Sequence, residues 1–156
     1  MPTEAALASI RLCKNAFSYL DKPVWERGPN YRQVLFDSLS MDIEYSIASP
    51  DYTYLWGGTR HGLEAVKSLY NDSPWADVVR NLGYQSVPEF FANDDGTRVV
   101  MLASEGLKIL KTGVEVPKRD FALVMDVHGG KITRMQIIQD HTEWNEAYAP
   151  PEARQT

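Results

Sequence analysis

The strongest constraint in this sequence is a change of hydrophobic period near Tyr84. Upstream, apolar residues recur three and four apart. Downstream they recur every second residue, with turn signals between the runs. The turns are Asn93-Asp94-Asp95-Gly96, Thr112-Gly113 and His128-Gly129-Gly130. Each supplies a glycine for the positive φ of a tight hairpin. They divide this half into strands over residues 84–92, 97–110, 114–127 and 131–139, the third interrupted at Pro117. Such a meander must pack one face against apolar elements.

The upstream half supplies those elements. Over residues 4–20, Leu7, Ile10, Cys13, Ala16, Phe17 and Leu20 form one face of an amphipathic helix, ended by Pro23 and Gly28-Pro29-Asn30. Residues 31–39 read as a short second helix. Ile43, Tyr45 and Ile47 alternate with Asp42, Glu44 and Ser46 as a half-buried strand. Tyr52, Tyr54 and Trp56 alternate with Thr53 and Leu55 as a second strand or extended arm, broken at Gly57-Gly58. Leu63, Val66, Leu69 and Tyr70 mark a third helix, and residues 75–82 add a further turn or two. Asp140-His141-Thr142-Glu143 has the form of a capping box, with Asp140 as N-cap of a final short helix. Helices followed by antiparallel strands make an α+β pattern.

Composition narrows the class. At 156 residues, one domain over 1–148 is expected, with a polar, proline-bearing tail over 149–156. Sixteen basic against 21 acidic residues give a net charge of −5, which disfavours nucleic-acid binding. The single cysteine, Cys13, excludes an internal disulfide and a thiolate zinc cluster. It fits a reducing compartment, and a cytoplasmic location is expected. No apolar run reaches the ~18–20 residues of a membrane span, and the first residues do not resemble a signal peptide. His61, His128 and His141 lack metal-ligand spacing, and no phosphate-binding or nucleophile-elbow motif occurs. No metal and no cofactor are expected.

Two motifs carry a resemblance. Gly62-Leu63-Glu64-Ala65-Val66, after an aromatic strand, resembles the helix start of SnoaL-like proteins. His128-Gly129-Gly130-Lys131-Ile132-Thr133-Arg134, followed by Asp140, resembles their last hairpin. The wider NTF2-like superfamily includes ketosteroid isomerase, limonene epoxide hydrolase, scytalone dehydratase, polyketide cyclases and non-catalytic binding modules. The resemblance implies a cone: a curved, mostly antiparallel sheet wrapped over N-terminal helices, with a pocket at one end. It also implies dimerisation through the outer sheet face.

Strand parity selects the candidate site residues. Met101, Ala103, Glu105, Leu107 and Ile109 share one face, and Val100, Leu102, Ser104, Gly106 and Lys108 the other. The first set is assigned to the core, with Glu105 as its one charge. A carboxylate among apolar neighbours suits general acid or base work. Its place resembles that of a catalytic aspartate in limonene epoxide hydrolase; the alternatives are a solvated strand end or a structural arginine partner. Phe121, Leu123 and Met125 form the next inner set, with Asp120 outward. Thr133, Met135, Ile137 and Gln139 form the last. Ile137 stands where limonene epoxide hydrolase has a water-activating aspartate, which argues against that enzyme's site. By the same likeness Tyr52 resembles a pocket tyrosine, and Tyr19 the oxyanion tyrosine of ketosteroid isomerase.

The expected function is cofactor-independent acid–base catalysis on a small, largely apolar molecule. Isomerase or cyclase is favoured, with epoxide hydrolase, dehydratase or a non-catalytic ligand-binding module as alternatives. Glu105 would move the proton, Tyr52, Tyr54 and Gln139 would donate hydrogen bonds, and His141 would partner them. Tyr45, Trp56, Met101, Phe121, Leu123, Ile137, Gln139, Trp144 and Tyr19 would contact substrate. A homodimer is expected, because Val100, Leu102, Leu110, Ala122 and Val124 leave the outer face apolar.

Overall fold

The computed structural model describes residues 1–48, 58–71, 79–110 and 112–139. The helical elements are α1 (Glu4–Ala16), 3-10 turns at Ser18–Asp21 and Val24–Glu26, α2 (Gln33–Ser38) and α3 (Leu63–Asn71). The strands are β1 (Leu39–Ala48), β2 (Gly58–His61), β3 (Val79–Tyr84), β4 (Glu89–Ala92), β5 (Arg98–Ile109), β6 (Glu115–His128) and β7 (Lys131–Gln139). They form one curved, open sheet in the order β2-β1-β7-β6-β5-β3, with β4 also paired to β5. Every pairing is antiparallel except β1 with β7. The α+β expectation holds. Among the described residues, no helix is long and apolar enough to cross a membrane.

Alternation along each long strand builds the core. Ile43, Tyr45, Ile47, Val99, Met101, Leu123, Met125, Met135 and Ile137 are buried and pack against Cys13, Ala16 and Phe17 from the N-terminal helix region. Full burial of one such aliphatic side chain contributes about 1.5–3 kcal/mol. Side-chain hydrogen bonds tie α1 down at its start. Ser9 Oγ donates to the Gly96 carbonyl at 2.6 Å, and Thr3 Oγ1 to that of Asp94 at 2.5 Å.

Several elements differ from the expectation. The first helix ends at Ala16, and its last turn tightens into 3-10 geometry, so Tyr19 lies in that turn. Residues 79–82 are strand, because pairing with β5 overrides their local helical spacing. The run over 84–92 is split; Pro88, without an N–H, lies in the break before β4. Edge strand β2 is four residues long, too short for a periodic signal. On β5, Leu102 faces outward as expected, but Ser104 and Gly106 are buried. The connection after β3 covers Ser104, whose Oγ lies 2.6 Å from Ser86 Oγ. On β7, a register shift puts Ile132 inward and leaves Thr133 half-buried.

Candidate functional site

A row of polar side chains crosses four neighbouring strands on the inner face of the sheet. Glu105 of β5 and Arg119 of β6 are direct register partners. Arg119 Nη2 donates to Glu105 Oε1 and, at 2.9 Å, to Oε1 of Gln139, the last residue of β7. From the other side, Asn81 Nδ2 of β3 donates to Glu105 Oε2 at 2.7 Å. Asn81 Oδ1 accepts from Arg27 Nη2 and from the Gly83 amide, each at 2.7 Å. Those two donors fix the amide so that its nitrogen faces the carboxylate.

Local chain geometry explains the row. The β5–β6 register shifts between Glu105 and Leu107, opposite Pro117 and Lys118, so the extra residue lies on β6. The β3–β5 register shifts between Asn81 and Gly83. Gly83 has φ +85°, and a Cβ there would lie 2.6 Å from the Leu20 carbonyl oxygen. Only glycine lets β3 approach the 3-10 turn that carries Tyr19 and Leu20.

Above the row, aromatic rings and two arginines form a cleft. The Tyr45 and Tyr70 hydroxyls are 2.5 Å apart. Tyr19 packs on Tyr31, with ring centres 5.4 Å apart. The Arg27 guanidinium lies 5.3 Å from the Tyr19 ring centre and 5.1 Å from that of Tyr31. The Arg32 guanidinium lies 4.7 Å from Tyr31 and 5.0 Å from Tyr70. Burial pushes the Tyr19, Tyr45 and Tyr70 hydroxyls far above the usual phenol range. All three are neutral phenols at neutral pH, and one of the Tyr45 and Tyr70 hydroxyls donates to the other. Burial also pushes the Cys13 thiol up to about 12, so it is no nucleophile at neutral pH.

The cleft holds about 80 Å³. Glu105, Tyr19, Tyr45, Phe121, Leu123, Ile137 and Gln139, all selected from the sequence, line it. Met101 does not. It is fully buried beside Cys13 and Phe17 in the core, so its expected substrate contact is corrected to a packing role. Glu105 is not isolated among apolar neighbours as expected; Arg119 and Asn81 meet it directly. Tyr52, Tyr54, Trp56, Asp140, His141 and Trp144 lie outside the described residues. Among the described residues, no group of three His, Cys, Asp or Glu side chains is placed to hold a metal ion.

Arg119, Asn81, Tyr70, Arg27 and Arg32 were not selected as site residues from the sequence. Arg119 carried a signal: it has the inward parity of Phe121, two residues away. Asn81 was hidden by the helical reading of its segment. Tyr70 was visible as an inward helix position but not as a polar one.

No family model matches the sequence, and no curated protein matches it. Solved structures do. An NTF2-like protein from Burkholderia xenovorans LB400 matches with a TM-score of 0.71 at 20% identity, over 92% of this chain and 97% of that one. A candidate polyketide cyclase from Xanthomonas campestris pv. campestris also matches at 0.71, with 17% identity over 94% and 100% of the two chains. TerC, co-crystallized with polyporic acid, matches at 0.69, with 21% identity over 92% and 99%. This chain therefore has the NTF2-like fold, as its two sequence motifs implied.

Proposed function

We propose that the chain is a cofactor-independent acid–base enzyme of the isomerase or cyclase class, acting on a small molecule with a flat apolar body. One observation carries this reading: the buried Glu105 carboxylate and the side chains of Tyr19, Tyr45 and Tyr70 line the same cleft. Ion-paired Glu105 is the proton acceptor. Arg119 and Asn81 fix its two oxygens and leave lone pairs for a proton from carbon. Tyr19, and whichever of Tyr45 and Tyr70 accepts in their mutual hydrogen bond, supply hydrogen bonds to an oxygen that gains charge as the proton leaves. Phe121, Leu123 and Ile137 give the apolar wall. The candidate polyketide cyclase of the same fold is consistent with such chemistry.

A second reading, a non-catalytic binding module, is favoured by the Glu105–Arg119 pair itself, because that carboxylate is already charge-balanced. Solvent-deuterium exchange at the carbon beside the carbonyl of small aryl ketones, followed by NMR, separates the two. Catalysed exchange that falls about 10²–10⁴-fold in Glu105→Gln is the result expected of a positioned base. No exchange above the buffer rate across the panel would favour the binding module.

A further inference from the structure

We propose that this cleft selects an anionic ligand, a flat ring bearing an ionised oxygen, with Arg32 as the anion's contact. The inference concerns the substrate class of the cleft described above and rests on that cleft being the ligand site. It does not rest on proton transfer by Glu105.

Among the described residues, the charges lining the cleft are those of Glu105, Arg27 and Arg32. Glu105 is already balanced by Arg119 behind it. Two guanidinium groups therefore give the described lining a positive excess, in a chain whose net charge is −5. Bulk composition does not account for that local excess.

The two arginines are differently engaged. Arg27 donates to Asn81 Oδ1 at 2.7 Å and to the Lys22 carbonyl at 2.8 Å, so it braces the polar row. Arg32 is half-buried, and the contacts of its guanidinium are the faces of Tyr31 and Tyr70. Among the described residues no carboxylate pairs with it. Ring faces hold the guanidinium plane and leave its N–H edge for an acceptor. A planar fork of donors matches a carboxylate or an acidic enol and discriminates against a neutral amide. The neighbouring tyrosine faces suit the flat ring that carries the anion.

The test uses benzoate and benzamide, which share a shape and differ in charge. Binding to the full chain is followed by isothermal calorimetry or ligand-observed NMR. Benzoate is expected to bind at least about tenfold more tightly than benzamide, the scale of a charge-assisted contact. Arg32→Met should bring that ratio close to one. Arg32→Lys keeps the charge without the fork and should give an intermediate ratio; it decides the matter if Arg32→Met fails to fold. Para-nitrophenol distinguishes the two anion types. Uptake as its yellow phenolate assigns an acidic hydroxyl, whereas selection of benzoate alone assigns a carboxylate. Equal binding of benzoate and benzamide to the wild type, binding of none of the three probes, or an unchanged ratio in Arg32→Met would overturn the proposal. Deuterium exchange reads proton transfer separately, so either idea can fail while the other stands.

Discussion

Glu105 and Arg119 face each other across β5 and β6, and the strand register alone makes them partners. Their relative exposures are 7% and 5%, so both charges have left water. A buried pair of this kind adds little stability over a well-packed apolar pair, but losing one partner is severe.

Arg119→Met should therefore cost about 3–5 kcal/mol in urea unfolding, because it strands the Glu105 carboxylate. Glu105→Leu combined with Arg119→Met should recover most of that loss. A single variant within about 1 kcal/mol of wild type would mean that the pair is solvated in solution.

Gly83→Ala should destabilise the fold by more than the roughly 1 kcal/mol typical of a left-handed backbone position. The Cβ would also run into the Leu20 carbonyl oxygen, 2.6 Å away. Because the Gly83 amide holds Asn81 Oδ1, ligand affinity at the cleft should fall together with the melting temperature. A variant that melts like wild type would remove this glycine from the account.

The legible part of the fold was the part written in local chemistry. Turn glycines and alternation set β5, β6 and β7 and turned Glu105, Phe121, Leu123 and Ile137 inward. The other half of the site depends on distant pairing. Asn81 enters the polar row only because β3 joins the far edge of β5. Arg27 and Arg32 lie between the first two helices, where no period exists to assign a face. Their direction is set by Tyr19, Tyr31 and Tyr70, which packing alone brings together.

A homodimer through the outer sheet face is proposed on a similar juxtaposition. Leu102, Ala122 and Ile138 are register neighbours across β5, β6 and β7. Leu102 and Ile138 remain 43% and 46% exposed. Such a contiguous apolar row marks an interaction surface. Light scattering should give twice the chain mass of 17.7 kDa, and Ile138→Lys should shift it toward the monomer. A wild-type monomer at high concentration would reject this assembly.

The Tyr45–Tyr70 hydroxyl contact makes the final prediction one of alkaline stability. Burial raises the folded values of Tyr19, Tyr45, Tyr70 and Tyr84 well above the ordinary 10.0. The unfolded chain therefore releases protons at about pH 10 that the folded chain still holds. Stability from these groups is fully present below that pH and falls as pH rises above it. An ultraviolet titration should show these tyrosines ionising together, and only as the near-ultraviolet dichroism collapses. Tyr70→Phe alone leaves the buried Tyr45 hydroxyl without its partner, at a cost of about 1–3 kcal/mol. Tyr45→Phe added to it should return part of that stability and make the alkaline decline shallower, because two of the coupled protons are gone. Gradual ionisation of these tyrosines near pH 10 in the folded protein would show that the hydroxyls are open to solvent and that burial does not hold them protonated.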